Sequence, residues 1–338
     1  MKKEEEKKKI VFDVINSVKG GSGKSTLSLL LAAYHAFQPN TVSYIIDLDL
    51  RGTSWMINYG EYLLPKGRAP IFVNDLMYDY KRKSGQELFA RIDAKTGKDR
   101  TASIHLSMGD PDIGGNIGQP DVEEDLFENA IYCLIDRIYT FHSEDSDKVE
   151  EIHVILDMPP SYDRNAERIL KHLLLDANST LYRNAQKSSG KYGNFDRYKV
   201  NLFMVSGLTP AHVTLNRDYV KNFFQKVNYS GVLMQFLEPD KPGGENRFHL
   251  FFIGNDSSGI IPLVTRATIV DRINRAIMPD LRSTVSSDGI DAADIMTGFN
   301  LMNHIKIQSV IDYYNEQVQP TTISIPEAAL DDVKLLLK

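Results

Sequence analysis

The feature that most constrains this chain is a glycine-rich loop at residues 19–26, which reads Lys19-Gly20-Gly21-Ser22-Gly23-Lys24-Ser25-Thr26. It lies between the apolar run Ile10–Val18, which predicts a strand, and Thr26–Phe37, which predicts a helix. The glycines let backbone N–H groups turn toward an anion, and the N-terminus of the helix adds partial positive charge. The loop is therefore predicted to bind phosphate, with Lys24 reaching the outer phosphates and the Ser25 hydroxyl available to Mg²⁺.

Three aspartates stand at the ends of strongly apolar runs. Thr41–Asp47 runs into Leu48 and Asp49, and Ile152–Leu156 runs into Asp157. Because the carboxyl ends of parallel strands meet at the same edge of a sheet, these carboxylates are expected beside the loop. Asp157 is predicted to hold Mg²⁺ through a water, and Asp49 to orient the attacking water and contact the water shell of the metal. For Asp47, structural and indirect roles both remain open.

Strand, loop, helix and strand follow one another at the start of the chain, which indicates a βαβ unit. We therefore expect an α/β fold with a twisted, mainly parallel sheet and helices on both faces. Residues 10–338 are predicted to form one domain after a charged tail at 1–9, with a less regular part from about residue 230. Gly231–Leu237 and Phe248–Ile253 are predicted to form a hairpin, an antiparallel addition to the sheet.

Composition narrows the class of protein. The net charge is −6, which argues weakly against a large basic surface for DNA. There is no apolar run of the ~18 residues that a membrane span needs, and the start of the chain lacks the apolar core of a signal peptide, so we expect a cytoplasmic protein. The single cysteine, Cys133, falls in a helical apolar pattern and is predicted to be a buried core thiol.

The order of these motifs resembles one known family. Lys19–Ser25 resembles the deviant Walker A motif of the ParA/MinD ATPases, KGGxGK[ST]. Asp47-Leu48-Asp49 with Gly52 resembles the switch I of that family, and Asp157-Met158-Pro159-Pro160 resembles its switch II. The resemblance implies a P-loop NTPase that binds and hydrolyses Mg-ATP. It is closest over residues 10–57 and 150–175, and weak beyond 230.

The resemblance also implies a mechanism and partners. Lys19 would reach the phosphates of a facing subunit, so ATP would drive a sandwich homodimer whose slow hydrolysis is stimulated by a ParB-like adaptor. Such ATPases segregate or position DNA, as in plasmid partition, or a protein cargo, and bind DNA non-specifically on the nucleoid. Asn255 and Pro262 are the candidates for adenine contacts. Basic candidates for DNA contact are Arg266, Arg272, Arg275, Arg282 and the segment Arg183–Lys199.

Some residues depart from the pattern, and two alternatives stay open. Leu50 and Arg51 stand where many partition ATPases carry proline and glutamine. A membrane-associated positioning ATPase of the MinD type would need a basic terminal helix, and Leu330–Lys338 mixes acidic with basic residues, which disfavours it. An ATP-dependent metabolic or assembly enzyme on the same scaffold is the other alternative. Its iron–sulfur carrier form needs a cysteine pair, which this chain lacks.

Overall fold

A computed structural model describes the chain at residues 7–50, 55, 72–76, 88–97, 100–109, 124–143, 148–160, 164–174, 198–207, 212, 215, 216, 218, 219, 222, 248–255, 322–325 and 327–337. Its strands are β1 (Lys9–Asn16), β2 (Thr41–Asp47), β3 (Ala90–Thr96), β4 (Arg100–Ser107), β5 (Glu151–Asp157), β6 (Lys199–Gly207), β7 (Phe248–Asn255) and β8 (Thr322–Ser324). Its helices are α1 (Lys24–Ala36), α2 (Glu124–Phe141), α3 (Arg164–Leu174) and α4 (Glu327–Leu336).

The eight described strands form one sheet in the order β7-β6-β1-β5-β2-β4-β3-β8. The six strands from β7 to β4 run parallel, whereas β3 is antiparallel to β4 and carries the short β8 parallel to itself at the edge. The predicted α/β class with a mainly parallel sheet is confirmed. The central strands are almost continuously apolar because both of their faces are covered, as in other parallel sheets.

Helices cover both faces of the sheet. On one face, α1 packs on β1, β2, β4 and β5 and also contacts α4, where Leu330 and Val333 join the apolar core. On the other face, Tyr198 packs edge-on against Phe12 and donates a hydrogen bond to the backbone of α3 at Leu173. Tyr44 faces the same way and hydrogen-bonds His142, just after α2. No helix in the described ranges is long and apolar enough to cross a membrane.

The direction of β7 corrects one prediction. Phe248–Ile253 was expected in an antiparallel hairpin, but β7 runs parallel to β6, with Val200 opposite Phe248 and Gly207 opposite Asn255. A parallel pair needs a crossover connection, and the intervening segment 208–247 is long enough to provide one. The stacked rings of Phe203 and Phe251, 4.6 Å apart, bury the pair on one face. The predicted partner strand at 231–237 lies outside the described residues.

The last two strands at one side of the sheet, β3 and β8, were not predicted. In β3 the residues Ile92, Ala94 and Thr96 face the core, while the charged residues between them face solvent. The many charges of this segment made a half-buried strand hard to recognise in the sequence. Strand β8 has only three residues, too few to give a pattern. Cys133 lies in α2 and is half-buried rather than fully buried, and burial raises the pKa of its thiol. Strand β1 begins at Lys9, the last residue of the predicted tail.

Candidate functional site

The glycine-rich loop connects the central strand β1 to α1. Gly23 caps the helix with a φ of 97°, and Gly21 has a φ of 73°, so both lie in the left-handed region that side chains disfavour. The helix begins directly afterwards, where the amide of Leu27 donates to the carbonyl of Gly23 at 3.0 Å. The motif therefore lies between a strand and a helix, with a partly buried helix N-terminus at the carboxyl edge of the sheet.

The two lysines of the loop are in opposite environments. Lys24 is 6% exposed, and its Nζ lies 3.9 Å from Oδ2 of Asp49. Lys19 is exposed at the start of the loop, and its carbonyl accepts a hydrogen bond from the hydroxyl of Ser17 at 2.9 Å. A buried lysine beside a carboxylate and an exposed one at the rim can serve different phosphates.

The predicted carboxylates converge on the loop. Strands β1, β5 and β2 are neighbours, and Asp157 ends β5 opposite both Ile15 of β1 and Asp47 of β2. The amide of Asp49 donates to Oδ1 of Asp47 at 3.1 Å, and the amide of Gly109 donates to Oδ2 of Asp47 at 3.3 Å. Asp47 therefore shapes the turn that carries Asp49 and binds the loop after β4. This geometry favours the structural alternative for Asp47.

Burial and neighbouring carboxylates raise the pKa values of Asp47 and Asp157. Burial, and then the neighbouring Asp157, raise the pKa of Asp47 well above its usual value. Burial also raises the pKa of Asp157, against the opposing effects of the Ser25 hydroxyl, Lys24 and Trp55. Within the described part of the chain, Oδ1 of Asp157 is buried without a hydrogen-bond partner. A buried acceptor of this kind, beside two more carboxylates and a hydroxyl, fits a hard cation that takes oxygen ligands, such as Mg²⁺.

Two contributors to the site were missed by sequence reasoning. The indole N–H of Trp55 donates to Oδ2 of Asp157 at 2.6 Å. Asn216 accepts from the amide of Val18 at 3.3 Å and donates to the hydroxyl of Ser206 at 3.1 Å, so it ties the start of the loop to the end of β6. Neither contact has a local signal, because each joins residues far apart in the sequence. The only hint for Trp55 is its place soon after the switch I motif.

The remaining predicted site residues are not brought to the loop by described contacts. Asn255 is the last residue of β7, two strands from β1, with its backbone opposite Gly207. Pro262 lies outside the described residues, as do the four arginines proposed for DNA and all but Tyr198 and Lys199 of the basic segment 183–199. Adenine and DNA contacts therefore stay predictions.

No protein-family model and no curated protein matches the chain. Among solved structures, pNOB8 ParA bound to nonspecific DNA is 12% identical, with a TM-score of 0.48, and the match covers 94% of this chain and 85% of that one. A Cyanothece McdA variant in complex with ATP is 12% identical, with a TM-score of 0.46 and coverage of 98% and 96%. A plasmid partition protein from Borrelia burgdorferi is 15% identical, with a TM-score of 0.44 and coverage of 97% and 100%.

The motifs at residues 19–25, 47–52 and 157–160 resemble those of the ParA/MinD ATPases, and pNOB8 ParA carries the name of that family. At these identities and TM-scores the matches say nothing about activity.

Proposed function

We propose that the chain is a ParA-like ATPase that binds Mg-ATP, dimerises face to face and uses slow hydrolysis as a switch to position DNA or a protein cargo. One observation carries the proposal. The glycine-rich loop, with Lys24 inside and Lys19 outside, lies at the same sheet edge as Asp49 and Asp157. Phosphate-binding loops with metal-binding carboxylates at neighbouring strand ends are the machinery of phosphoryl transfer.

Each residue of the site has a separate role in binding and hydrolysing Mg-ATP. Backbone amides of residues 20–26 hold the phosphates, and Lys24 leaves its contact with Asp49 to neutralise their outer charge. Asp49, released from Lys24, then accepts a hydrogen bond from the attacking water and orients it. Mg²⁺, held by the Ser25 hydroxyl and through water by Asp157, would supply charge neutralisation between the phosphates.

Lys19 is the residue through which dimerisation would control hydrolysis. Its exposure at the start of the loop supports a contact with the phosphates of a facing molecule. A cation supplied in trans stabilises the charge that spreads over the transferring phosphoryl group, as an arginine finger does. Hydrolysis would therefore depend on dimerisation, and an adaptor protein could regulate it by acting on the dimer.

The terminal helix bears on the MinD-type alternative. Leu330 is 8% exposed and Val333 1% exposed, because α4 packs on α1. An apolar face already used in the core is not available to a membrane, which counts against a lipid-binding tail. No specific contact favours the alternative of a metabolic or assembly enzyme.

The proposal is tested by measuring mass in solution with ATP, ADP and no nucleotide, using light scattering on a size-exclusion column. We expect a dimer with ATP and a monomer in the other two states, together with slow release of phosphate. A protein that binds ATP but stays monomeric would contradict the switch. DNA retention by the ATP form across a salt series tests the DNA-matrix version, and no retention even at low salt would leave a protein cargo as the target.

A further inference from the structure

Trp55 makes an unusual contact for a core aromatic residue. Its side chain is 1% exposed, and its indole N–H points at Oδ2 of Asp157, which is itself fully buried. A buried indole N–H needs an acceptor, but a backbone carbonyl would satisfy it. Here the acceptor is the carboxylate expected to hold the water shell of Mg²⁺, and the N···O distance of 2.6 Å is short for a hydrogen bond from an N–H donor.

The contact distinguishes the two oxygens of Asp157. Oδ2 is occupied by Trp55, while Oδ1 is buried and has no partner among the described residues. Building on the proposed Mg-ATP site, we infer that Trp55 is a positioning residue, which holds Oδ2 so that Oδ1 is presented to the water shell of the cation. Without the indole, the carboxylate could turn about its χ2 bond and face the cation in several orientations.

The surrounding charge gives this hydrogen bond more weight. Asp47 stands opposite Asp157 in the parallel register, and Asp49 lies beyond Asp47. Because three carboxylates lie close together at this edge of the sheet, a donor that fixes one oxygen of Asp157 also fixes which oxygen faces a shared cation. Partners of metal-binding groups are worth about 10–100-fold in metal affinity when they are removed.

The position of Trp55 in the chain adds a second consequence. It follows Asp49 by six residues, so the same hydrogen bond ties the segment after the switch I motif to the end of β5. A change at Oδ1 of Asp157 is thereby transmitted to the indole. Trp55 is also the sole tryptophan of the protein, so the intrinsic indole emission comes from this one side chain and is sensitive to changes around it.

The first experiment needs no variant. MgCl2 is titrated into the full-length protein in excess ATP, starting from EDTA, and tryptophan emission is recorded beside an independent measurement of ATP binding. We expect the emission to change with the same Mg²⁺ midpoint as ATP binding. In Asp157→Asn we expect no Mg²⁺-dependent change of emission at the Mg²⁺ concentrations that saturate the wild type. An emission that stays constant while Mg-ATP binds would overturn the inference but not the proposed function.

The second experiment compares two aromatic variants that each lose one buried donor. Trp55→Phe removes the indole N–H, and Tyr198→Phe removes a hydroxyl that donates to Leu173 at 2.7 Å far from the loop. We expect Trp55→Phe to need about tenfold more Mg²⁺ for half-maximal ATP retention, with unchanged ATP binding in EDTA. Tyr198→Phe should keep the wild-type midpoint.

Equal midpoints for Trp55→Phe and the wild type would refute the positioning role. If instead the wild type retains no ATP at any Mg²⁺ concentration, the proposed function fails, and the inference that rests on it fails too. The titration of the wild type decides the matter even if a variant does not fold.

Discussion

Nζ of Lys24 lies 3.9 Å from Oδ2 of Asp49, so the central cation of the glycine-rich loop forms an ion pair with a carboxylate that follows β2, two strands from β1. Both side chains are largely covered, with exposed fractions of 6% and 20%. A phosphate entering the loop competes with Asp49 for Lys24. We therefore expect nucleotide binding to draw Lys24 away from Asp49, which would couple occupancy of the loop to the position of the predicted water-orienting group.

Lys24→Ala and Asp49→Ala should separate binding from hydrolysis. We expect Lys24→Ala to lose ATP binding, because the buried cation that faces the outer phosphates is gone. Asp49→Ala should keep ATP binding and dimerisation but hydrolyse about 10²–10⁴-fold more slowly, the usual contribution of a positioned base. Equilibrium binding of a fluorescent ATP analogue and phosphate release provide the two measurements. Wild-type hydrolysis by Asp49→Ala would assign the water to another residue.

The part of the site carried by short motifs was predictable, and the part carried by long-range contacts was not. Strands β1, β2 and β5 can be recognised in the sequence because buried parallel strands are nearly continuous apolar runs. The residues predicted to bind phosphate or Mg²⁺ lie at or just after the end of each of them. The hydrogen bond between Trp55 and Asp157 spans 102 residues, and only the assembled sheet brings its partners together. The direction of β7 depends on a crossover, which no local pattern encodes.

Removal of Mg²⁺ should destabilise the folded protein at neutral pH. The pKa values of Asp47 and Asp157 are raised by burial, so the folded protein binds their protons more tightly than the unfolded chain does. Stability contributed by these groups is therefore lost as the pH rises from the unfolded value of about 3.8 through the folded pKa. A cation that neutralises them reverses this loss.

We expect Mg²⁺ without nucleotide to raise the melting temperature by a few degrees at pH 7.5 and to have little effect on Asp157→Asn. Asp157→Asn should also melt higher than the wild type in EDTA, because one buried charge is gone. Calorimetry in EDTA and in MgCl2 gives both comparisons. A wild type that responds to Mg²⁺ no more than the variant would place the cation elsewhere.

A buried cluster at the other end of α1 holds a proton. The rings of His35 and His153 are stacked, 3.3 Å apart and within 10° of parallel, and His153 bridges Asp13 at 2.6 Å and Glu151 at 3.1 Å. A single metal ion would have to lie in both ring planes, which stacked rings do not share. Burial alone would lower the pKa of His153, but Asp13 and Glu151 raise it to about 9. Burial and the charge of His153 lower the pKa of His35 to about 3.

The wild type should therefore lose stability between pH 6.5 and pH 9. The folded pKa of His153 is above its unfolded value of 6.5, so its contribution is complete below pH 6.5 and is lost as the pH rises through about 9. At about 1.4 kcal/mol per pKa unit, the loss over the whole range is about 3–4 kcal/mol. Urea unfolding at several pH values measures it, with His153→Gln as the variant in which this dependence should vanish. A wild-type slope retained by the variant would mean that other groups cause it.

Lys19→Ala and Asn216→Ala should affect dimerisation in different ways. Lys19 is exposed, so its loss should leave ATP binding by the monomer intact and abolish the ATP-dependent dimer. Asn216 is 1% exposed and binds both the amide of Val18 and the hydroxyl of Ser206, so its loss should loosen the start of the loop. We expect Asn216→Ala to weaken ATP binding and dimerisation together, by about 1–3 kcal/mol for the unpaired buried groups. Light scattering with ATP, beside ATP binding at a concentration where the protein is monomeric, separates the two effects. Normal dimerisation of Lys19→Ala would mean that the facing subunit is not recognised through this lysine.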